Sequence, residues 1–264
     1  MFPSRWKTSK VTPIFKSGDP TDVTNYRPIS VLLILSKIAE RYVHNALYTF
    51  LCENDLIYFR QSGFRSKHST ETALIKIIDD LLFSLNKDRV SGMVLVDYRE
   101  TFDMIDHTLL LKKLEMYEIS RDSLQWFTSY LKERRQLVKL GDKQSSVAIV
   151  RHGIPQGSIL GPLLFIVFIN DLPLYVTSSR IDLYADDTTL TSSTNYSSIG
   201  RLEGTLNSSI AEIVDWAASN WLPINEGKTK AMLITGKRLP SKINEEMTLT
   251  IKGTELELVP SAKR

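Results

Sequence analysis

The sequence holds a single cysteine, Cys52. It cannot close an internal disulfide, and no Cys/His spacing of a zinc site is present. That usage suits a reducing compartment, nuclear or cytoplasmic. Long hydrophobic runs are also lacking. Met1 to Lys10 contains no apolar stretch of the kind that forms a secretory leader. The longest apolar run, Ile159 to Ile169, is interrupted by Gly161 and Pro162. It falls short of the ~20 residues a bilayer span requires, so a buried helix is expected there and no membrane partner. Repeats and low-complexity tracts are absent.

Neither sign of charge dominates: 33 Lys and Arg against 30 Asp and Glu leave a net +3. This permits a nucleic-acid partner without requiring one. The positive residues are bunched, at Lys7, Lys10 and Lys16, at Lys132, Arg134 and Arg135, and at Lys228, Lys230, Lys237 and Arg238. Each bunch reads equally well as a solvated face. With 264 residues and a 42% hydrophobic fraction, the chain can build one large domain or two subdomains.

Pro3, Pro13, Pro20 and Pro28 discourage helix, so residues 1–35 read as irregular and extended. Val11 to Phe15 is a candidate edge strand. Ser36 to Leu51 reads as a helix with Ile38, Ala39, Tyr42, Val43, Ala46 and Leu47 inward. A second helix starts at an N-cap of Ser69 or Thr70 and runs to about Asn86. Its pairs Ala73/Leu74, Ile77/Ile78 and Leu81/Leu82 mark the buried stripe. Met93 to Val96 is wholly apolar and reads as a central strand, ended by Asp97. Helices are expected over Thr108–Tyr117, Asp122–Arg134 and Ser198–Asn220, the last with Leu202, Leu206, Ile210, Ile213 and Ala217 inward. Hairpins are expected around Gly141-Asp142 and Gly253-Thr254, and a short strand over Ala231–Ile234.

The chemistry centres on Tyr184-Ala185-Asp186-Asp187, a tight turn between the strand-like stretches Arg180–Leu183 and Thr188–Thr191. Asp is ordinary in a hairpin turn. Two adjacent like charges are less so, and a hard cation would relieve their repulsion. Asp97 adds a third carboxylate. At the end of a buried strand it costs several kcal/mol unless paired or exposed at a cleft. If these elements share one sheet, the three carboxylates meet at one edge. That charge suits two divalent metals ~3.5–4 Å apart and in-line phosphoryl transfer.

Six segments then carry a resemblance. They are Asn25-Tyr26-Arg27-Pro28-Ile29-Ser30, Gln61-Ser62-Gly63-Phe64-Arg65, Asp97 with Phe102-Asp103, Gly153-Ile154-Pro155-Gln156-Gly157-Ser158, Tyr184-Ala185-Asp186-Asp187, and Asn225-Glu226-Gly227-Lys228-Thr229-Lys230. Their order resembles reverse transcriptases of non-LTR (LINE-type) retrotransposons, of jockey-like or X-element-like kind, over nearly the whole chain.

The resemblance implies an α+β fold. A polymerase palm (a split βαβ, ferredoxin-like antiparallel sheet with helices on one face) joins mostly helical fingers, with the thumb absent. Fingers are expected over 1–90 with 107–150 contributing, palm over 91–106 and 151–240, and a truncated primer-grip hairpin over 241–264. It implies transfer of dNTPs to a DNA 3′-hydroxyl on an RNA template, with two Mg²⁺ ions or Mn²⁺. Asp97, Asp186 and Asp187 would hold metal, and Lys228 would protonate the leaving pyrophosphate. Phe102 would exclude the ribose 2′-hydroxyl. Gln156 and Gly157 would line the nucleotide, and Arg27 and Lys16 would reach its triphosphate. Arg65 and Tyr184 would face template and primer, Arg65 alternatively being structural.

The chain departs from the family at Glu100-Thr101, where a Lys-Ala pair is usual, and it reads as fingers and palm only, where the resemblance implies an upstream endonuclease and a downstream thumb in a full-length protein. These departures keep a second reading open: a truncated, inactive retrotransposon remnant that at most binds RNA.

Overall fold

A computed structural model describes residues 1–236 and 247–260. Lys237 and Arg238, residues 237–240 of the expected palm, and residues 241–246 and 261–264 of the expected primer-grip hairpin lie outside the described residues.

The chain forms two compact units from interleaved segments, residues 1–57 with 100–168, and 58–99 with 169–264. The first unit opens with β1 (Thr8–Phe15), β2 (Tyr26–Val31) and α1 (Ile34–Glu53). The second then takes α2 (Thr70–Leu85) and β3 (Arg89–Val96). The first resumes with α3 (Thr101–Met104), α4 (His107–Met116), α5 (Arg121–Leu131), β4 (Arg134–Leu140), β5 (Lys143–Gln144), β6 (Ala148–Val150) and α6 (Gly161–Ile169). The second is completed by α7 (Leu172–Tyr175), β7 (Arg180–Tyr184), β8 (Asp187–Asn195), α8 (Ile199–Ser219), β9 (Lys230–Ile234), β10 (Thr250–Ile251), β11 (Thr254–Glu255) and β12 (Glu257–Leu258).

In the first unit the strands run in the order β2–β1–β4–β5, with β6 also on β4. The irregular N-terminal stretch expected from its prolines is therefore a strand pair. Pro13 faces Pro28 across it, and neither has an N–H to lose. β1 pairs with β4 only over Thr8–Val11. From Thr12 onward its one neighbour is β2, which makes that half the expected edge.

The expected inner face of α1 needs correction. Ile38 and Tyr42 are 63% and 79% exposed and Ala46 is exposed as well, whereas Leu47 is buried as expected, together with Ser36, Glu40 and Leu51. Glu40 decides this. One carboxylate oxygen accepts from the Ser36 hydroxyl at 2.9 Å, the other from the Ile159 N–H at 2.8 Å. A carboxylate beside the start of α6 satisfies N–H groups that the helix leaves unpaired. α6 itself is apolar all round and buried from Leu163 to Ile169, as its composition predicts.

The second unit is built on the sheet β12–β9–β3–β8–β7, with β3 central as expected. A Cβ at Gly92 would overlap Leu206, so α8 packs directly on β3. The α8 stripe Leu202, Leu206, Ile210, Ile213 and Ala217 is buried throughout. On the other face the Ser91 and Ser193 hydroxyls lie 2.8 Å apart, and Ser84 of α2 reaches Ser193 at 3.1 Å. Helices thus lie on both faces of the sheet, not one alone.

α2 carries a complete capping box between Ser69 and Thr72. Its stripe splits: Ala73, Ile77 and Leu81 turn partly inward, whereas Leu74, Ile78 and Leu82 are exposed. The late hairpin is present as β10–β11 around Lys252-Gly253, with Leu249, Ile251 and Leu256 buried. Leu258 lies beyond it, in β12 beside β9. Among the described residues no helix is long and apolar enough to cross a membrane.

Candidate active site

The β3–β8 register ends at Val96 opposite Thr188. One step further puts Asp97 and Asp187 side by side at the same end of neighbouring strands. Tyr184 pairs with Asp187, which leaves Ala185 and Asp186 as the two-residue hairpin loop. Three half-buried carboxylates therefore gather at one end of the second unit's sheet. Ala185 adopts the left-handed conformation, φ 56°. A side chain tolerates this poorly, so the surroundings must hold it.

Gln61 supplies that hold. Its side-chain oxygen accepts from the Ala185 N–H at 3.0 Å and from the Gly63 N–H at 2.8 Å. Ser62 donates to the Leu183 carbonyl, and Leu183 donates to that of Arg60, so residues 60–62 run beside β7. Any Cβ at Gly63 would overlap the Ala185 backbone, which makes glycine a requirement there. Below, Arg60 binds both carboxylate oxygens of Asp182, at 2.7 and 3.1 Å, and also pairs with Asp80. Asp80 in turn meets Arg180 at 2.8 Å. Burial opposes the Arg60 charge, but Asp182 and Asp80 outweigh it and hold its pKa above the ordinary value.

Asp97 is fixed through its backbone. Its N–H donates to the Thr229 hydroxyl at 3.2 Å, and its carbonyl accepts from Asn225 at 2.7 Å. The Thr229 hydroxyl donates to the Asn225 carbonyl, closing the turn. Lys228 sits exposed in this turn, one residue from the hydroxyl that anchors Asp97. Arg65 donates to the carbonyls of Tyr58 and Gln61, at 3.3 and 3.0 Å. Tyr184 is half-buried at the foot of the hairpin loop.

Among the described residues no group of three His, Cys, Asp or Glu side chains is tight enough to hold a metal ion alone. Mg²⁺ does not ask for one. It commonly takes one or two carboxylates and fills its shell with water and substrate phosphate. The hard oxygens of Asp97, Asp186 and Asp187 fit that partial role.

The first unit collects the residues expected at the nucleotide. The Phe102 ring stacks on Phe165, centroids 4.8 Å apart, and its carbonyl accepts from Ile154. Glu100, before α3, has φ 46°, and Thr101 is buried. Gln156 donates its amide to the Asp103 carboxylate at 2.7 Å, and its carbonyl accepts from Ser30 at 2.7 Å. Gly157, at φ 111°, lies so close to the Ser30 carbonyl that a Cβ would clash. Arg27 on β2 and Lys16 just past β1 are exposed. Burial pushes the Asp103 carboxyl above the usual range, Glu100 adds to this, and Gln156 and Lys16 work against it.

Gln61, Arg60, Asp182, Asn225 and Thr229 are supports that sequence reasoning passed over. Gln61 and Gly63 lie inside a quoted motif, but nothing local says that this amide caps a turn formed much later in the chain.

Comparison with known proteins adds a second line. The model of a family described as reverse transcriptase (RNA-dependent DNA polymerase) matches residues 14–256. An RNA-directed DNA polymerase from the mobile element jockey of Drosophila funebris is 32% identical, covering 97% of this chain and 28% of that protein. A probable RNA-directed DNA polymerase from transposon X-element of Drosophila melanogaster is 30% identical over 90% of this chain and 26% of its own length. A counterpart from transposon BS of the same species is 34% identical over 74% and 22%. The chain thus spans roughly a quarter of these relatives. In fold it resembles an apo telomerase from Candida tropicalis truncated of its C-terminal domain, with TM-score 0.62 and 14% identity, over 97% of this chain and 54% of that one.

Proposed function

This chain belongs to the reverse transcriptase (RNA-dependent DNA polymerase) family, and on that premise we propose that it adds deoxynucleotides to a DNA 3′-hydroxyl under the direction of an RNA template. The observation that carries the proposal is the register of β3 and β8, which supports a shared carboxylate site for Asp97, Asp186 and Asp187.

Polymerases of this family generally work with divalent metal ions. Two such ions, Mg²⁺ or Mn²⁺, would supply activation of the primer hydroxyl and neutralisation of the departing pyrophosphate. In our reading Asp97, Asp186 and Asp187 would hold them. Lys228 gives a proton to the leaving pyrophosphate oxygen, a task its exposed ammonium can perform from a turn anchored to Asp97.

Phe102 blocks the ribose 2′ position by bulk, backed by Phe165. Gln156 and Gly157 present backbone to the nucleotide, Gln156 being steadied by Asp103. Arg27 and Lys16 meet the triphosphate, where a fork of donors suits phosphate oxygens. Tyr184 flanks the primer end. RNA template, DNA primer and dNTPs are the proposed partners, with endonuclease and thumb regions in the whole protein. The working compartment is nuclear or cytoplasmic.

The test is primer extension on an RNA template with Mg²⁺. Asp186→Asn is expected to lower incorporation by at least about a hundredfold, the order lost when one preorganised charge contact is removed. Incorporation at the parent level would end the assignment.

A further inference from the structure

The second unit has a polar cavity of about 290 Å³ at the end of β8 far from the catalytic hairpin. It lies among Arg89, Arg201, Ser178, Ser192, Thr194 and Thr205. No carboxylate lines it. Glu203, on the same helix as Arg201, accepts from the Thr248 N–H instead. Asp88 precedes Arg89 but is not part of the wall. Among the described residues neither arginine has an ion-pair partner. Two unpaired guanidinium groups facing one cavity repel each other. Arg201 also stands in the first turn of α8, which carries no acidic residue. A cation there opposes the helix dipole. A sequence that accepts both costs in one place is arranged for an anion.

We propose that this cavity binds the phosphodiester backbone of a single nucleic-acid strand, at a site separate from the carboxylates. Asp187 to Asn195 spans about 25 Å at ~3.3 Å per residue, so the two sites stand at opposite ends of β8. The arginines supply charge and forked donors, and the hydroxyls of Ser178, Ser192 and Thr194 supply hydrogen bonds. No aromatic side chain lines the cavity, and Leu202 is its one apolar residue. A base would find nothing to stack on, so the site reads backbone and not sequence. The polymerase reading enters only in choosing a nucleic-acid ligand.

Fluorescence anisotropy with a labelled oligouridine, titrated at several salt concentrations, tests this in the whole chain. R89Q/R201Q is expected to weaken binding about tenfold at low salt. It should also flatten the log-affinity against log-salt slope by about 1.4, two phosphate contacts at about 0.7 each for single strands. R89K/R201K should keep most of both. Unchanged affinity and slope in R89Q/R201Q would overturn the proposal. In the parent protein, oligouridine should shield both arginines from phenylglyoxal, read by mass spectrometry, and unshielded arginines would equally overturn it. Pyrophosphate shielding both arginines as well as oligouridine does, at equal phosphate concentration, would assign the cavity to free phosphate and sink the strand reading. Primer extension by R89Q/R201Q on a saturating hybrid should match the parent. A chain with no polymerase activity that still shows the slope change would keep this site and lose the other.

Discussion

Phe102 shows how much of the proposed selectivity hangs on one ring. Its stacking on Phe165 leaves it little room to move aside for a 2′-hydroxyl. Phe102→Val should therefore admit ribonucleotides, seen as a rise in NTP relative to dNTP incorporation. Unchanged sugar preference would remove its gate role. Asp97→Asn should match Asp186→Asn in primer extension while leaving the thermal melt close to that of the parent. The anchoring bonds of Asp97 run through its backbone and not through its carboxylate. A variant that loses stability but keeps incorporation would reverse this assignment.

At the scale of the element, the hairpin β7–β8 is a strained loop on a buried support. Ala185 keeps its left-handed backbone because Gln61 satisfies its N–H and Gly63 lets the chain pass beneath. Gly63→Ala should cost about 1–3 kcal/mol, the usual range for forced overpacking, measured by urea unfolding. Incorporation should fall with it, because the loop bearing Asp186 must shift. Arg60→Met leaves the buried Asp182 without its partner and should cost about 3–5 kcal/mol. A loss under about 1 kcal/mol would mean that Arg180 or water has taken over.

For the molecule as a whole, interleaving is the governing fact. Neither unit is a contiguous piece of chain. A fragment of residues 1–99 would hold β3 without β8 and β9, and β1 without β4. It should show no cooperative melting by circular dichroism. Asp103 gives the stability a pH dependence. Burial raises its folded pKa, so the folded state binds this proton more tightly than the unfolded chain does. Stability then falls as pH rises from the ordinary carboxylate value through the raised folded value. Asp103→Asn should melt higher than the parent at neutral pH, and the gap should close below the usual carboxylate range. A gap that persists in acid would trace to packing and not to charge.

Most helices and the β7–β8 hairpin were legible in the residues, because periodicity, caps and turn chemistry are local. The Ser69 helix cap, the α8 stripe and Asp186-Asp187 between two strands needed no knowledge of distant neighbours. Tertiary structure alone decided the rest. β1, already paired with β2, gained a second neighbour because β4 arrives from far along the chain, and α1 turned Glu40 inward because the start of α6 offered N–H groups to its carboxylate. α2 left half its apolar stripe in solvent, since one face of a helix can meet only one surface. The residues proposed to carry the chemistry stand in order along the chain. Whether their side chains meet depends on strand register, and register is set by long-range hydrogen bonds that no local stretch of sequence contains.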